Sequence, residues 1–423
     1  MSRSAGARIR HGAHRAARAL LGALPRELRF RFYRGMVDCP TVLDDSFEFT
    51  IARSREDLEA CFGLLHDAYV ASGFMRAHPS GLRVTAYHAL PTTTTLCAKV
   101  GGQVVGTLSI VRDGVFGFPL QSAFDISAVR AKGGRIAEIS ALAVHPSFRR
   151  TGGSVLFPLM KFMYEYCTRY FDTRHLVIAV HPTRIELYES LLFFRRLTAR
   201  VVDKYDFANG APAIGATLDL HEAPQLFARA YDGKPARRDL HGYFVDRQLP
   251  NIRFPARDWN VSNDPMLTPA LADYFFNERT QGFAELDERR KRLLHSIYRG
   301  PEWARVLPAL AEDPSPRSQL RLTPRFTFKC EGRLNAAAPA DGGHPITIIE
   351  LSRHGFRART PAQLPVGALV TAEAELGAGR RTHVQARVMN AGPGDDERSY
   401  GFHVGVPDEA WLNCVAWLED KGD

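Results

Sequence analysis

The apolar and polar positions of the chain fall into two regimes. Over residues 47–220, alternating runs trade places with runs of helical period. Residues 47–52 predict a strand, 55–70 an amphipathic helix, and 95–100 with 104–111 a hairpin turned at Gly101-Gly102. Ile139, Ala141, Ala143 and His145 then alternate with Ser140, Leu142 and Val144, which predicts a short buried strand stopped by Pro146. From Val155 the residues Leu156, Leu159, Met160, Met163 and Tyr164 recur at helical spacing. A strand over 175–180, a helix over 183–194 and a hairpin over 199–220, turned at Asn209-Gly210, complete a mixed α/β layer. Residues 221–305 are less regular, with helices expected at 268–280 and 283–298. The stretch E-D-P-S-P-R makes 306–317 a linker, and from Leu320 short strands between Gly and Pro turns predict a small β-barrel.

The link between the strand and the helix, H-P-S-F-R-R-T-G-G-S-V, carries the first candidate chemistry. A helix N-terminus leaves backbone N–H groups unpaired at the positive end of the dipole, and Gly152 and Gly153 let a ligand approach the backbone. Arg149 and Arg150 add charge. An ordinary turn with solvated arginines has the same residues, so the preceding strand is what favours an anion site.

At 423 residues the chain is long enough for two or more domains, and no apolar run approaches the roughly 20 residues that span a bilayer. The six cysteines form no C-x-x-C pair and read as buried thiols of a reducing, cytoplasmic compartment, with no metal site expected. The net charge of +9 is concentrated at one end, since residues 1–40 hold nine arginines against Glu27 and Asp38. This arm, taken as residues 1–44, has Ala16, Leu20, Leu21 and Leu24 at helical spacing. It suits an anionic membrane surface, an acidic protein, or packing on its own domain. No DNA or RNA partner is expected.

The element order and the R-x-x-G-x-S turn at Arg149, Gly152 and Ser154 resemble the GNAT acyltransferase superfamily, in which that turn cradles the pyrophosphate or phosphopantetheine of an acyl carrier. The segment T-R-I-E-L-Y-E-S-L-L-F-F resembles the second signature of that family, which implies Tyr188 as the acid that protonates the departing thiolate. More specifically, V-V-D-K-Y-D-F-A-N-G-A-P-A is similar to the long-chain N-acyl amino acid synthases, relatives of the acyl-homoserine lactone synthases, which also carry a glutamate and serine in the manner of Glu138 and Ser140. The likeness covers roughly residues 45 to 300 and places a synthase domain over 45–305. It implies an acyl-carrier protein or acyl-CoA thioester as donor, no tightly bound cofactor, and an amino acid as acceptor.

Thioester aminolysis needs a group to take the ammonium proton and donors where the oxyanion develops. Glu138, among apolar strand neighbours, is the candidate base or ammonium anchor; an arginine-paired structural carboxylate is the alternative. In the resembled fold a strand bulge near Leu142 and Val144 turns a backbone N–H toward the carbonyl. Arg150 and Gly153 complete the carrier-binding set. Ser140 lacks indicated partners for a nucleophile, and His181 before Pro182 reads first as a cap.

In the second half, R-L-T-P-R (Arg321 to Arg325) and E-L-S-R-H-G (Glu350 to Gly355) resemble the PilZ domain, whose arginine arm and D/N-x-S-x-x-G strand bind cyclic di-GMP. The resemblance implies an all-β PilZ-type barrel over 318–423, with Arg321, Arg325, Glu350, Ser352 and Gly355 as nucleotide-binding residues. Glu350 replaces the usual Asp or Asn, and its extra methylene is expected to weaken the site. Two rival readings are an acetyl-CoA-dependent N-acetyltransferase of small amines, and a cyclic di-GMP-responsive binding protein whose acyltransferase half is inactive.

Overall fold

The computed structural model describes residues 24–149, 151–261, 267–298, 300–311, 326–336, 343–392 and 398–421. Arg150, Arg321 and Arg325 lie outside the described residues, as does the second half of the expected linker.

A first helix, α1 (Arg26–Gly35), precedes β1 (Phe47–Ile51), α2 (Arg55–Ala71), β2 (Thr93–Val100), β3 (Gln103–Arg112) and β4 (Arg135–Val144). Then come α3 (Leu156–Arg169), β5 (Thr173–Val180), α4 (Pro182–Leu192), β6 (Arg195–Arg196), β7 (Val202–Tyr205), β8 (Ala211–Asp219) and α5 (Ala223–Tyr231). The strands form one sheet in the order β1-β2-β3-β4-β5-β8-β6, with β7 on β8. The pair β4–β5 is parallel and the others are antiparallel.

Both faces of this sheet are covered, which is why β3 reads as a near-continuous buried run. Leu159, Phe162 and Tyr166 of α3 pack on one face with Leu96 and Leu108. Leu58 and Phe62 of α2 pack on the other with Phe275 and Phe276. Ser54 caps α2 by accepting from the Asp57 N–H at 3.1 Å.

Two expectations are corrected below. Of the arm expected over 1–44, residues 24–44 are described and pack on the domain: α1 is pinned to α4 through Arg29 and Glu186 at 2.6 Å and through Arg26 and Glu189 at 2.8 Å. Val37, Cys39 and Leu43 then enter the core. The helix expected at 268–280 is α-helical only over Pro269–Asp273 and continues as a wider π-helical turn over Tyr274–Arg279. Tyr274, Phe275 and Phe276 are all buried, and three consecutive residues cannot share one narrow helical stripe. The helix expected at 283–298 starts only at α6 (Glu288–Ile297), where the Asp287 carboxylate accepts from the Arg290 N–H. The helix of 183–194 begins at Pro182 and ends at Phe193, whose φ is +60°.

The second half is a closed barrel of β9 (Phe326–Ala336), β10 (His344–Ser352), β11 (Gly355–Thr360), β12 (Leu369–Gly377), β13 (Arg380–Gly392) and β14 (Arg398–Val404). Helix α7 (Glu409–Lys421) closes its core through Trp411, Cys414, Val415 and Leu418. The barrel is not cleanly separable from the first half. Trp259 is buried in its core, and Asn260 donates from its N–H to the Leu376 carbonyl while its own carbonyl accepts from Lys329. The Asp172 carboxylate, before β5, accepts from Arg359 of β11 at 2.5 Å, and Arg135 donates to the Ile349 carbonyl of β10.

Candidate active site and nucleotide site

Strands β4 and β5 are paired only from Arg135↔Thr173 to Glu138↔Val177. Beyond Glu138 they separate, and a groove of about 480 Å³ opens between them. A bulge shapes its floor: Ser140 faces Ser109 and Ala143 faces Thr107, so Ala141 and Leu142 together oppose Leu108. Ala141 takes a φ of +53°, a conformation that costs a residue with a side chain. The strict alternation expected from the sequence is broken at this bulge.

Glu138 is 2% exposed, and burial pushes its carboxyl up to about 8, opposed only in part by the Leu120 N–H donating to Oε2 at 2.9 Å. No arginine pairs with it among the described residues, so the expected structural ion pair is not what holds it. Tyr188 of α4 lines the same groove, its hydroxyl held above the usual phenol range by burial against the opposing pull of Arg184. Leu142, Ser140, His181 and Arg184 line it too, with Met160, Met163, Ile178 and Val180 giving much of the wall an apolar character. His181 caps α4 by accepting from the Thr183 N–H, which is the capping role expected of it.

The glycine turn stands beside this groove and does not line it. Arg149 folds back to donate from Nε to the Val144 carbonyl at 2.9 Å, and the Thr151 and Ser154 hydroxyls lie 2.7 Å apart. Gly152 and Gly153 have φ of +60° and +73°. A Cβ at Gly153 would come within 2.4 Å of the Phe157 ring, so the turn itself demands that glycine. No side chain caps the start of α3; the Phe157 N–H donates to the Gly153 carbonyl at 3.0 Å and Pro158 has no N–H, so the first turn keeps few free donors.

In the barrel, Glu350, Ser352 and Gly355 line a cavity of about 340 Å³ at the β10–β11 turn. Ser352 Oγ donates to the Gly355 carbonyl at 3.0 Å. Gly355 was expected to leave room for a ligand. A Cβ there would instead meet the Phe402 carbonyl at 2.5 Å, so the glycine serves the approach of β14. Glu350 faces Arg357 across the hairpin, with Oε2 3.6 Å from Nε. Arg357 was not anticipated, although a two-residue turn at Arg353-His354 fixes the 350↔357 register by counting. Arg83 and Tyr69, which no motif marks, were also missed, and Tyr205 lies within the quoted V-V-D-K-Y-D-F segment but was given no role.

Residues 60–219 match the family model described as N-acyl amino acid synthase FeeM. Residues 319–417 match the PilZ domain. Among solved structures, FeeM, an N-acyl amino acid synthase from uncultured soil microbes, is similar over 42% of this chain and 93% of its own, at 24% identity and a TM-score of 0.36. BjaI, a CoA-dependent acyl-homoserine lactone synthase, is similar over 45% of this chain and 91% of its own, at 21% identity and a TM-score of 0.33. The acyl-homoserine lactone synthase LasI matches over 45% and 97%, at 16% identity and a TM-score of 0.36. No curated protein matches the chain. The chain therefore joins a domain that matches the N-acyl amino acid synthase family over residues 60–219 to a C-terminal PilZ domain over 319–417.

Proposed function

We propose that the chain transfers a fatty acyl group from a carrier thioester to the amine of an amino acid, under control by cyclic di-GMP at the barrel. The observation that carries this reading is Glu138, a buried carboxyl with a pKa raised to about 8, at the mouth of an apolar groove where two parallel strands part. Ionised, it takes a proton from the acceptor ammonium. The freed amine attacks the thioester carbonyl carbon, and the oxyanion develops beside the bulge at Ala141 and Leu142. The C–S bond then breaks, the departing thiolate takes a proton from the Tyr188 hydroxyl, and the surplus proton on the new amide nitrogen returns to the Tyr188 oxygen. The carrier phosphates are assigned to the turn of Arg149, Arg150, Gly152, Gly153 and Ser154 at the start of α3. Apolar walls favour a long acyl chain over acetyl.

Cyclic di-GMP is assigned to Glu350, Ser352 and Gly355 with Arg321 and Arg325. Arg357 competes with the nucleotide for Glu350. A peripheral contact with anionic lipid is supported by α1 and its flanks, where Leu24, Leu28, Phe32 and Met36, each four residues apart, are exposed by 38%, 49%, 46% and 66%. No helix among the described residues is long and apolar enough to cross a membrane.

Mass spectrometry of lipid extracts from cells producing the protein tests donor and acceptor together. N-acyl amino acids absent from cells carrying an empty vector are expected; acetylated amines in their place would favour the acetyltransferase reading.

A further inference from the structure

Arg83 is a cation without an anion. It is half-buried between two rings that line the groove, with its guanidinium carbon 4.2 Å from the Tyr69 ring centroid and 5.0 Å from that of Phe207. Nη2 donates to the Phe207 carbonyl at 2.8 Å. Among the described residues no carboxylate pairs with it. Glu138, which lines the groove, and His88, which lines the small cavity with Arg83, do not supply the charge. His88 is neutral, because burial holds its pKa down at about 3, and Glu138 is largely protonated at neutral pH. A partly desolvated cation left in this state is costly unless an anion joins it.

A second observation points the same way. The Tyr205 hydroxyl is buried and has no hydrogen-bond partner, and Tyr205 lines the groove within reach of the field of both Arg83 and Glu138. Buried hydroxyls are ordinarily bonded, so an orphan at the wall of an active-site groove is a donor held ready for a ligand. The small cavity that Arg83 lines shares Tyr69, Ser140, Ala141 and Phe207 with the groove itself.

We propose that Arg83 and Tyr205 form the subsite for the carboxylate of the acceptor, so that the enzyme selects α-amino acids over amines of similar shape. The guanidinium supplies the charge and a fork of donors matched to a carboxylate, and the phenol adds one more hydrogen bond. Tyr69 and Phe207 flank the guanidinium and keep water from it. The acceptor amine is then held toward Glu138, on which the proton transfer depends. The inference rests on the acyl-transfer reading above.

The test uses the purified full chain with dodecanoyl thioesters of coenzyme A and of an acyl carrier protein, and compares the best amino acid acceptor with its primary amide. The parent is expected to show a KM for the amino acid at least tenfold below that for the amide. Arg83→Gln should raise the amino acid KM by tenfold or more, change kcat by less than threefold, and leave the amide KM unaltered; Arg83→Lys should recover part of the loss. Tyr205→Phe should raise the amino acid KM by a smaller factor, and it serves where Arg83→Gln does not fold. An unchanged KM in the folded Arg83→Gln and Tyr205→Phe variants, or a parent indifferent to amidation, would overturn the subsite while leaving acyl transfer standing. A parent that acylates no amino acid from either thioester would overturn both.

Discussion

At the scale of single residues, Glu138 is the proposed base, and in that role its environment makes opposite demands on stability and turnover. Its folded pKa of about 8 lies above the ordinary value of 4.5, so between these values the folded protein holds a proton that the unfolded chain releases. This contribution is complete below about 4.5 and is lost as pH rises through 8. Turnover needs the ionised form and runs the other way, rising toward pH 8. Glu138→Gln keeps the neutral shape at every pH. It is expected to abolish most turnover and to gain on the parent in stability as pH rises from about 4.5 to 8, by roughly 5 kcal/mol at most. Denaturant titrations of both proteins at pH 5 and pH 9 measure this, and a gap that fails to widen with pH would show that Glu138 is not held neutral by burial. The residue type was legible in the sequence, where a carboxylate among apolar neighbours stands out. Arg83 and Tyr205 were not, since only folding brings the loop before β2 and the end of β7 to the groove and to the small cavity that shares its wall.

At the scale of elements, most strands and helices were legible because burial on a sheet with two covered faces leaves a plain pattern. The failures have local causes. The bulge in β4 inserts one residue, and an alternation read straight through Ala141 hides it. The π-helical turn over Tyr274–Arg279 buries three aromatic residues in a row, which a period of 3.6 does not describe. The bulge also supplies a test. Ala141, at a φ of +53° and packed with Leu65, tolerates glycine but not a β-branched side chain. Ala141→Gly is expected to keep stability within about 1 kcal/mol of the parent and to retain activity. Ala141→Val should lose about 2 kcal/mol or more together with most of its turnover. Equal activity in the two variants would mean that the bulge has no part in the reaction.

At the scale of the whole molecule, the linker expected at 306–317 suggested two independent domains. The structure ties them through residues 259–261 and through buried polar contacts, because the sequence separation of Asp172 from Arg359 and of Arg135 from Ile349 hides such pairs. These contacts join the two sites. Arg357 lines both the cavity at the β10–β11 turn and a larger one of about 840 Å³ between the halves, and Arg135 begins the strand that carries Glu138. A nucleotide that draws Glu350 from Arg357 acts on β10 and β11, the strands that Arg135 and Asp172 hold. Asp172→Asn is therefore expected to bind cyclic di-GMP with the parent affinity by calorimetry on the full chain, while its turnover no longer responds to the nucleotide. A full response in that variant would place the coupling elsewhere.

The most direct test of the central claim is the stoichiometry of the reaction itself, followed with the purified full chain, a long-chain acyl thioester and a mixture of amino acids. One free thiol released for each N-acyl amino acid formed, with both lost in Glu138→Gln, is the predicted result. Thiol release without amide formation, or equal amide formation by Glu138→Gln, would contradict it.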